Sequence, residues 1–211
     1  MGEHNLSASD FHTWESYLEV ESAADLRYEY HDGTIVSMAG ATNRHNEIAT
    51  NCNYLLKPIA RKKGCKAYAM EVRLFRYQSK RYLYPDAMLT CQPLDLQSKN
   101  GVRTPLLLIE VLSDSSRESD RSFKLREYLK LPSLRHYLII EQKHCEVQHF
   151  RRREDESWEV LFYEEMDQQI DLPELDLRIP LTALYEGVEF GPEPDLLEEE
   201  AAVYESDGSL P

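Results

Sequence analysis

The chain has 211 residues and a formal net charge of −14, with 42% hydrophobic and 29% charged residues. That length supports one domain with a substantial core and does not require two. No apolar run approaches the ~18–20 residues of a membrane span, and the N-terminal MGEHNLSASD lacks the basic start and apolar centre of a secretory signal, so a soluble cytoplasmic protein is expected. The acidic balance is a weak argument against nucleic acid as a partner, because it is unevenly placed. Nine acids and no Lys or Arg lie between Glu186 and Pro211, which leaves the body at −5. The widely spaced Cys52, Cys65, Cys91 and Cys145 form no CxxC pair and read as reduced, mostly buried thiols.

In chain order, an amphipathic stretch from about Asp10 to Val20 predicts a short first helix, which Asp10 can cap. Two β-prone runs, Leu26 to Tyr30 and Thr34 to Met38, flank Asp32-Gly33 and predict a hairpin. A second helix begins near Asn43, with Ile48, Asn51, Cys52 and Leu55 at helical spacing. Pro58 is expected to kink or end it, with Gly64 as its last possible limit. Ala67 to Tyr77 reads as one strand and Ala87 to Cys91 as another, followed by a polar loop from Gln92 to Thr104. Leu106 to Leu112, LLLIEVL, is an apolar run bounded by turn signals, which predicts a strand buried on both faces. A helix over Arg117 to Lys130 follows, capped by Ser115 or Ser116 and stopped by Pro132. Tyr137 to Ile140 predicts a strand beside LLLIEVL, Cys145 to Phe150 and Trp158 to Tyr163 a closing hairpin, and Leu172 to Leu184 a segment packed on the core. This order gives an α/β or α+β domain around a buried mixed sheet, spanning residues 10–187, between a flexible start (1–9) and an acidic, disordered tail (188–211).

The acid in the apolar strand, Glu110, is costly to bury unless a basic side chain, a proton or a metal ion compensates it. Asp86, after Pro85, and Lys124, on the following helix, complete a set suited to metal-dependent phosphodiester chemistry. Hard divalent cations take oxygen ligands, Mg²⁺ often from one or two carboxylates plus water and phosphate. A nearby ammonium stabilises charge developing on the phosphate. No Ser-His-Asp, Cys-His, GxGxxG or GxxxxGK[ST] pattern is present, so no nucleotide cofactor is expected.

Pro85-Asp86, a spacer of 23 residues, and Glu110 within IEVLS resemble the PD-(D/E)XK, or restriction-endonuclease-like, superfamily. The ordered segments YEYHDGTIVSMAGATNRHN, YPDAMLTC, LLLIEVLSDSS, DRSFKLREYLKLPSLRHYLII and the Trp158 hairpin resemble its Uma-type branch of endonucleases, over roughly Asp10 to Glu186. The resemblance implies a helix–β-meander–helix–strand core, with an added N-terminal helix and hairpin and a C-terminal hairpin. It also implies cleavage of DNA with Mg²⁺ or Mn²⁺, and a homodimer. Asp86 and Glu110 would be metal ligands, with the Val111 carbonyl as a further one. Leu112 stands where the superfamily motif has lysine, and Lys124 is the matching amine from the next helix. Glu29 and His45 match acidic and histidine positions of the branch, where either completes the metal shell or acts on the water.

Plainer readings stand beside these. Glu110 can be the ion-pair partner of Arg121 or Lys124, Asp86 a turn residue, Lys124 a solvated charge, and Asp120 its i,i+4 partner. Arg151-Arg152-Arg153 reads as a solvated hairpin tip and Arg61-Lys62-Lys63 as the basic end of a helix.

Overall fold

The computed structural model describes residues 12–23, 27–37, 41–69, 72–76, 81–113, 117 and 120–191. The first helix, α1, runs over Trp14–Ala23, and the cap expected at Asp10 lies outside the described residues. The hairpin forms as predicted, from β1 (Tyr28–His31) and β2 (Thr34–Ser37). Asp32 and Gly33 have φ of 49° and 98°, the pair of positive values that a two-residue turn matching strand twist requires.

Helix α2 covers Asn43–Lys62, and Thr42 caps it by accepting the His45 N–H at 3.1 Å. Pro58 lies inside α2 and does not end it, whereas Gly64, at φ 68°, follows the C-cap. Residues 67–77 are not one strand. β3 (Lys66–Ala69) pairs with β6 (Ala87–Thr90), and the chain then crosses to another sheet, where β4 (Leu74–Arg76) pairs with β5 (Arg81–Leu83). The expected polar loop contains a short helix, α3 (Pro93–Gln97), started by its proline.

β7 (Leu107–Leu112) is buried at every position. The following helix opens as a π-helical turn, Asp120–Lys124, and continues as α4 (Leu125–Tyr128); Ser115 and Ser116 lie outside the described residues. β8 (His136–Glu141) runs parallel to β7, and β9 (Val147–Arg152) and β10 (Trp158–Tyr163) close the sheet as an antiparallel hairpin. The last segment is a small hairpin, β11 (Gln169–Leu172) and β12 (Leu177–Pro180), with a 3-10 turn between them and a short helix, α5 (Leu181–Leu184), after them.

The strands form a six-stranded mixed sheet in the order β10-β9-β8-β7-β6-β3, a four-stranded sheet β2-β1-β5-β4 and the two-stranded β11-β12. Alternation along β7 sorts its side chains between two cores. Leu107, Ile109 and Val111 pack under α2, whereas Leu108 and Leu112 pack with Tyr128 and Tyr137 on the opposite face. Glu110 lies on that second face by the same alternation.

Two readings of the cysteines and charges change. Cys65 and Cys91 are joined in a disulfide, not free as expected. Antiparallel pairing of Lys66 with Thr90 and Ala67 with Leu89 sets Cys65 opposite Cys91, a juxtaposition invisible in linear spacing. Cys52 and Cys145 are free. No described helix is long and apolar enough to cross a membrane. The basic runs serve local structure. Arg151 and Arg153 pair with Glu159, and the Arg152 guanidinium lies 4.9 Å over the Trp158 ring.

Candidate active site

The candidate site forms where the layers meet. β6 and β7 bring Asp86 and Glu110, the first turn of α2 brings His45, β1 brings Glu29, and the π-helical turn brings Asp120 and Lys124. All six side chains are buried. Their type and position in the chain explain the arrangement. Lys124, at 6% exposure, has its Nζ 3.2 Å from Glu29 Oε1, 3.2 Å from Glu110 Oε1 and 3.1 Å from Asp120 Oδ1. A lysine so enclosed is retained as a charge only because carboxylates surround it.

The main chain fixes the other half. The Val111 N–H donates to Asp86 Oδ2 at 2.6 Å, and His45 Nε2 lies 3.3 Å from the same oxygen. The Tyr84 N–H donates to Glu29 Oε1 at 3.1 Å, and His31 Nε2 is 2.9 Å from Glu29 Oε2. Tyr128 donates its hydroxyl to Glu110 Oε1 at 2.7 Å. Behind them, Gln142 ties the end of β7 to the start of α2, donating to the Leu112 carbonyl at 2.7 Å while its own Oε1 accepts from Thr42 Oγ1 at 2.7 Å.

These contacts separate the carboxyl groups electrostatically. Burial alone would raise Glu29, but Lys124, His31 and the Tyr84 N–H together hold it down at about 2. Glu110 goes the other way. Burial pushes it well above the usual carboxylate range, Lys124 opposes, and Asp120, Asp86 and Glu29 add to the rise. Lys124 loses to burial but gains more from Glu110, Glu29, Asp120 and Asp86, so it is held firmly as an ammonium. His45 is likewise lowered by burial yet raised overall by Asp86, by a main-chain hydrogen bond with Val111 and by Asp120.

The closest contacts of each central carboxylate fall on one oxygen: Oδ2 for Asp86, Oε1 for Glu110. No hydrogen bond or ion pair among the described residues falls on Oδ1 of Asp86 or Oε2 of Glu110. Among the described residues, no group of three or more His, Cys, Asp or Glu side chains is arranged to hold a metal ion. The donor set still suits a hard cation. Four carboxylates face one lysine and two histidines, His31 and His45, and hard divalent cations such as Mg²⁺ take one or two carboxylates with other oxygen ligands and water.

Every residue singled out in the sequence thus reaches this cluster: Glu29, His45, Asp86, Glu110, Val111 and Lys124. Arg121, weighed as a partner of Glu110, instead pairs with Glu146 at 3.2 Å. Asp120 is the i,i+4 partner of Lys124, as expected, but it is buried within the cluster and not on a solvated helix face. Sequence reasoning missed Tyr128, His31 and Gln142. Only Tyr128 carried a signal, standing four residues beyond Lys124 on one helix face.

The mixed sheet with its flanking helices, and a carboxylate at the end of β7, define a restriction-endonuclease-like α/β fold of the PD-(D/E)XK class. The chain belongs to the Uma2 family, described as "Putative restriction endonuclease", which matches residues 14–182. Two relatives come from Synechocystis sp. strain PCC 6803. "Uncharacterized protein slr1290" is 28% identical over 83% of this chain and 92% of its own length, and "Uncharacterized protein sll1609" is 31% identical over 67% and 81%. A solved structure from Anabaena variabilis, titled as that of a putative nuclease belonging to DUF820, superposes with a TM-score of 0.70 at 17% identity. It covers 84% of this chain and 99% of that one, a likeness of fold.

Proposed function

We propose that this chain is a divalent-metal-dependent endonuclease that hydrolyses phosphodiester bonds in DNA, with Asp86, Glu110 and the Val111 carbonyl as the ligands for Mg²⁺ or Mn²⁺. The observation that carries the reading is the one-sided anchoring of Asp86 and Glu110, which leaves one oxygen of each available in a cluster short of positive charge. A bound divalent ion supplies a water of lowered pKa and polarises the phosphoryl oxygen. The protein's own groups do the rest. Lys124 offers its ammonium to the phosphate, standing in for the lysine absent at Leu112. Glu29 and Asp120 hold that ammonium in place, and Glu29 remains ionised. His45 and the Val111 N–H hold Asp86 Oδ2.

A homodimer belongs to the same reading, because cutting both strands of a duplex calls for two sites. Sedimentation equilibrium of the purified chain would show it directly.

The reading is tested by nicking and linearisation of plasmid DNA in millimolar Mg²⁺ or Mn²⁺. Activity should vanish with EDTA and fall in both Asp86→Asn and Glu110→Gln by more than the roughly 10–100-fold typical of residues that only orient a ligand. Cleavage by Glu110→Gln at the wild-type rate would exclude this site. A second reading, a binding module that retains the fold without activity, is favoured by the engagement of Lys124 with three carboxylates. It predicts a folded wild-type chain with no Mn²⁺ binding by calorimetry.

A further inference from the structure

Outside the carboxylate cluster, Arg27, Arg73, Lys99, Asn100, Gly101 and the Tyr84 ring line a pocket of about 230 Å³. Three cations in so small a space repel one another unless an anion stands between them. One described carboxylate does. Glu21, its side chain 1% exposed, accepts from the Tyr84 hydroxyl, from Arg73 Nη2 at 3.3 Å and from the Tyr28 N–H at 3.0 Å. Those bonds engage Glu21 and Arg73 with each other. Arg27 stands off, its guanidinium 4.0 Å from Glu21, and Lys99 makes no ion pair among the described residues. Arg27 and Arg73 thus share a single carboxylate, and with Lys99 the pocket carries positive charge in excess, in a chain of net charge −14.

The wall carrying Lys99 and Asn100 is fixed against β4. The Val102 N–H donates to the Arg73 carbonyl at 2.8 Å, and the Phe75 N–H to the Val102 carbonyl at 2.8 Å. Gly101 has φ 140°, and a Cβ there would lie 2.5 Å from the Arg73 carbonyl oxygen. The approach is so close that only glycine fits. Tyr84 links this pocket to the candidate site. Its ring lines the pocket, its N–H holds Glu29, and Asp86 follows two residues later.

We propose that this pocket binds a phosphate of the nucleic-acid strand, flanking the phosphate that meets Asp86 and Glu110. This assignment rests on the nuclease reading. Phosphates recur every ~3.4 Å of axis along a strand, and Tyr84, which lines the pocket while its N–H holds Glu29, joins the pocket to the cluster. Asn100 adds an amide donor, and arginine with lysine gives a fork and a point charge suited to phosphate oxygens.

Two measurements on the full chain test it, comparing wild type with an Arg27→Ala/Lys99→Ala variant whose thermal melt matches wild type. In the first, inorganic phosphate is titrated at constant ionic strength into protein isotope-labelled at glycine. The Gly101 amide resonance should shift saturably, and the variant should lose that shift. No shift in wild type, or an equal shift in the variant, overturns the anion site. In the second, affinity for a short DNA duplex is measured in EDTA at stepped KCl concentrations. The slope of log affinity against log salt should fall by about 0.9 for each cation removed. An unchanged slope overturns the assignment to nucleic acid even if free phosphate binds. Cleavage assayed in parallel separates the two ideas. Metal-dependent cleavage with an unchanged slope removes this pocket and keeps the nuclease, whereas a reduced slope without cleavage removes the nuclease and keeps the pocket.

Discussion

Tyr128 shows how much of the site depends on residues that would never touch a metal. Its hydroxyl and the Lys124 ammonium share Oε1 of Glu110, so the carboxylate is held from two sides and cannot turn freely. Burial, with Glu110 and Glu29 nearby, pushes the phenol well above its ordinary value, so it remains a donor. Tyr128→Phe keeps the ring packed against Tyr137 (centroids 5.1 Å apart) and removes only the donor. The expected cost is roughly 0.5–1.5 kcal/mol of stability, the net range for a typical hydrogen bond, with a lower kcat at unchanged KM. Urea unfolding and steady-state cleavage read the two effects. A variant matching wild type in both would show that Lys124 alone positions Glu110. Lys124→Ala is the harsher change, since it leaves Glu29, Glu110 and Asp120 buried without their shared counter-ion.

At the scale of elements, the Cys65–Cys91 disulfide joins the edge strand β3 to β6, whose first residues follow Asp86. Its ends are separated by 26 residues, for which the chain-entropy argument gives roughly 3 kcal/mol. Dithiothreitol, or Cys91→Ser, should therefore lower the unfolding midpoint by similar amounts. If thiol titration shows four free cysteines in the untreated protein, this expectation is wrong. The same pair marks a limit of sequence reading. β7, β8 and the β9–β10 hairpin were legible because continuous apolar runs and turn residues specify them locally. The Cys65–Cys91 pairing, the break after Ala69 and the transfer of β4 to a second sheet depend on which strands meet, and no local pattern encodes that. The site divides along the same line. Asp86, Glu110 and Lys124 were visible because charge beside apolar sequence is unusual, and because the ordered segments resemble a family. Tyr128 carries no charge to set it apart from the other tyrosines, and His31 beside the hairpin turn has no spacing to distinguish it.

Across the whole molecule, a second polar chain, buried at its two histidines, ties the main sheet to the β11–β12 hairpin. His136 Nε2 lies 2.6 Å from Glu174 Oε2, and His136 Nδ1 lies 2.9 Å from His149 Nε2. The carboxylate requires a proton on His136 Nε2, so Nδ1 accepts from His149 Nε2–H. His149 Nδ1 is then a bare lone pair, buried without a partner among the described residues. Both rings are held below their ordinary values. Burial is the main cause in each: Glu174 partly offsets it at His136, whereas His136 and Arg151 add to it at His149 and bring that ring to about 3. An unfolded histidine takes up its proton near pH 6.5, whereas native His149 refuses one until about pH 3. Between those values the unfolded state binds more protons, so stability is full above the unfolded value and falls as the pH drops. The loss for His149 alone is roughly 2 kcal/mol at pH 5. Glu29, held at about 2, gives up its contribution only below the unfolded glutamate value of 4.5, whereas Glu110 and His45, both raised, take up protons more readily in the folded state and oppose the loss at His149. The unfolding free energy from urea titrations at neutral pH and at about pH 5 should fall by roughly 2 kcal/mol less in His149→Phe, whose ring can keep the stack on Tyr163, than in wild type. An equal loss in the variant would place the acid sensitivity elsewhere in the fold.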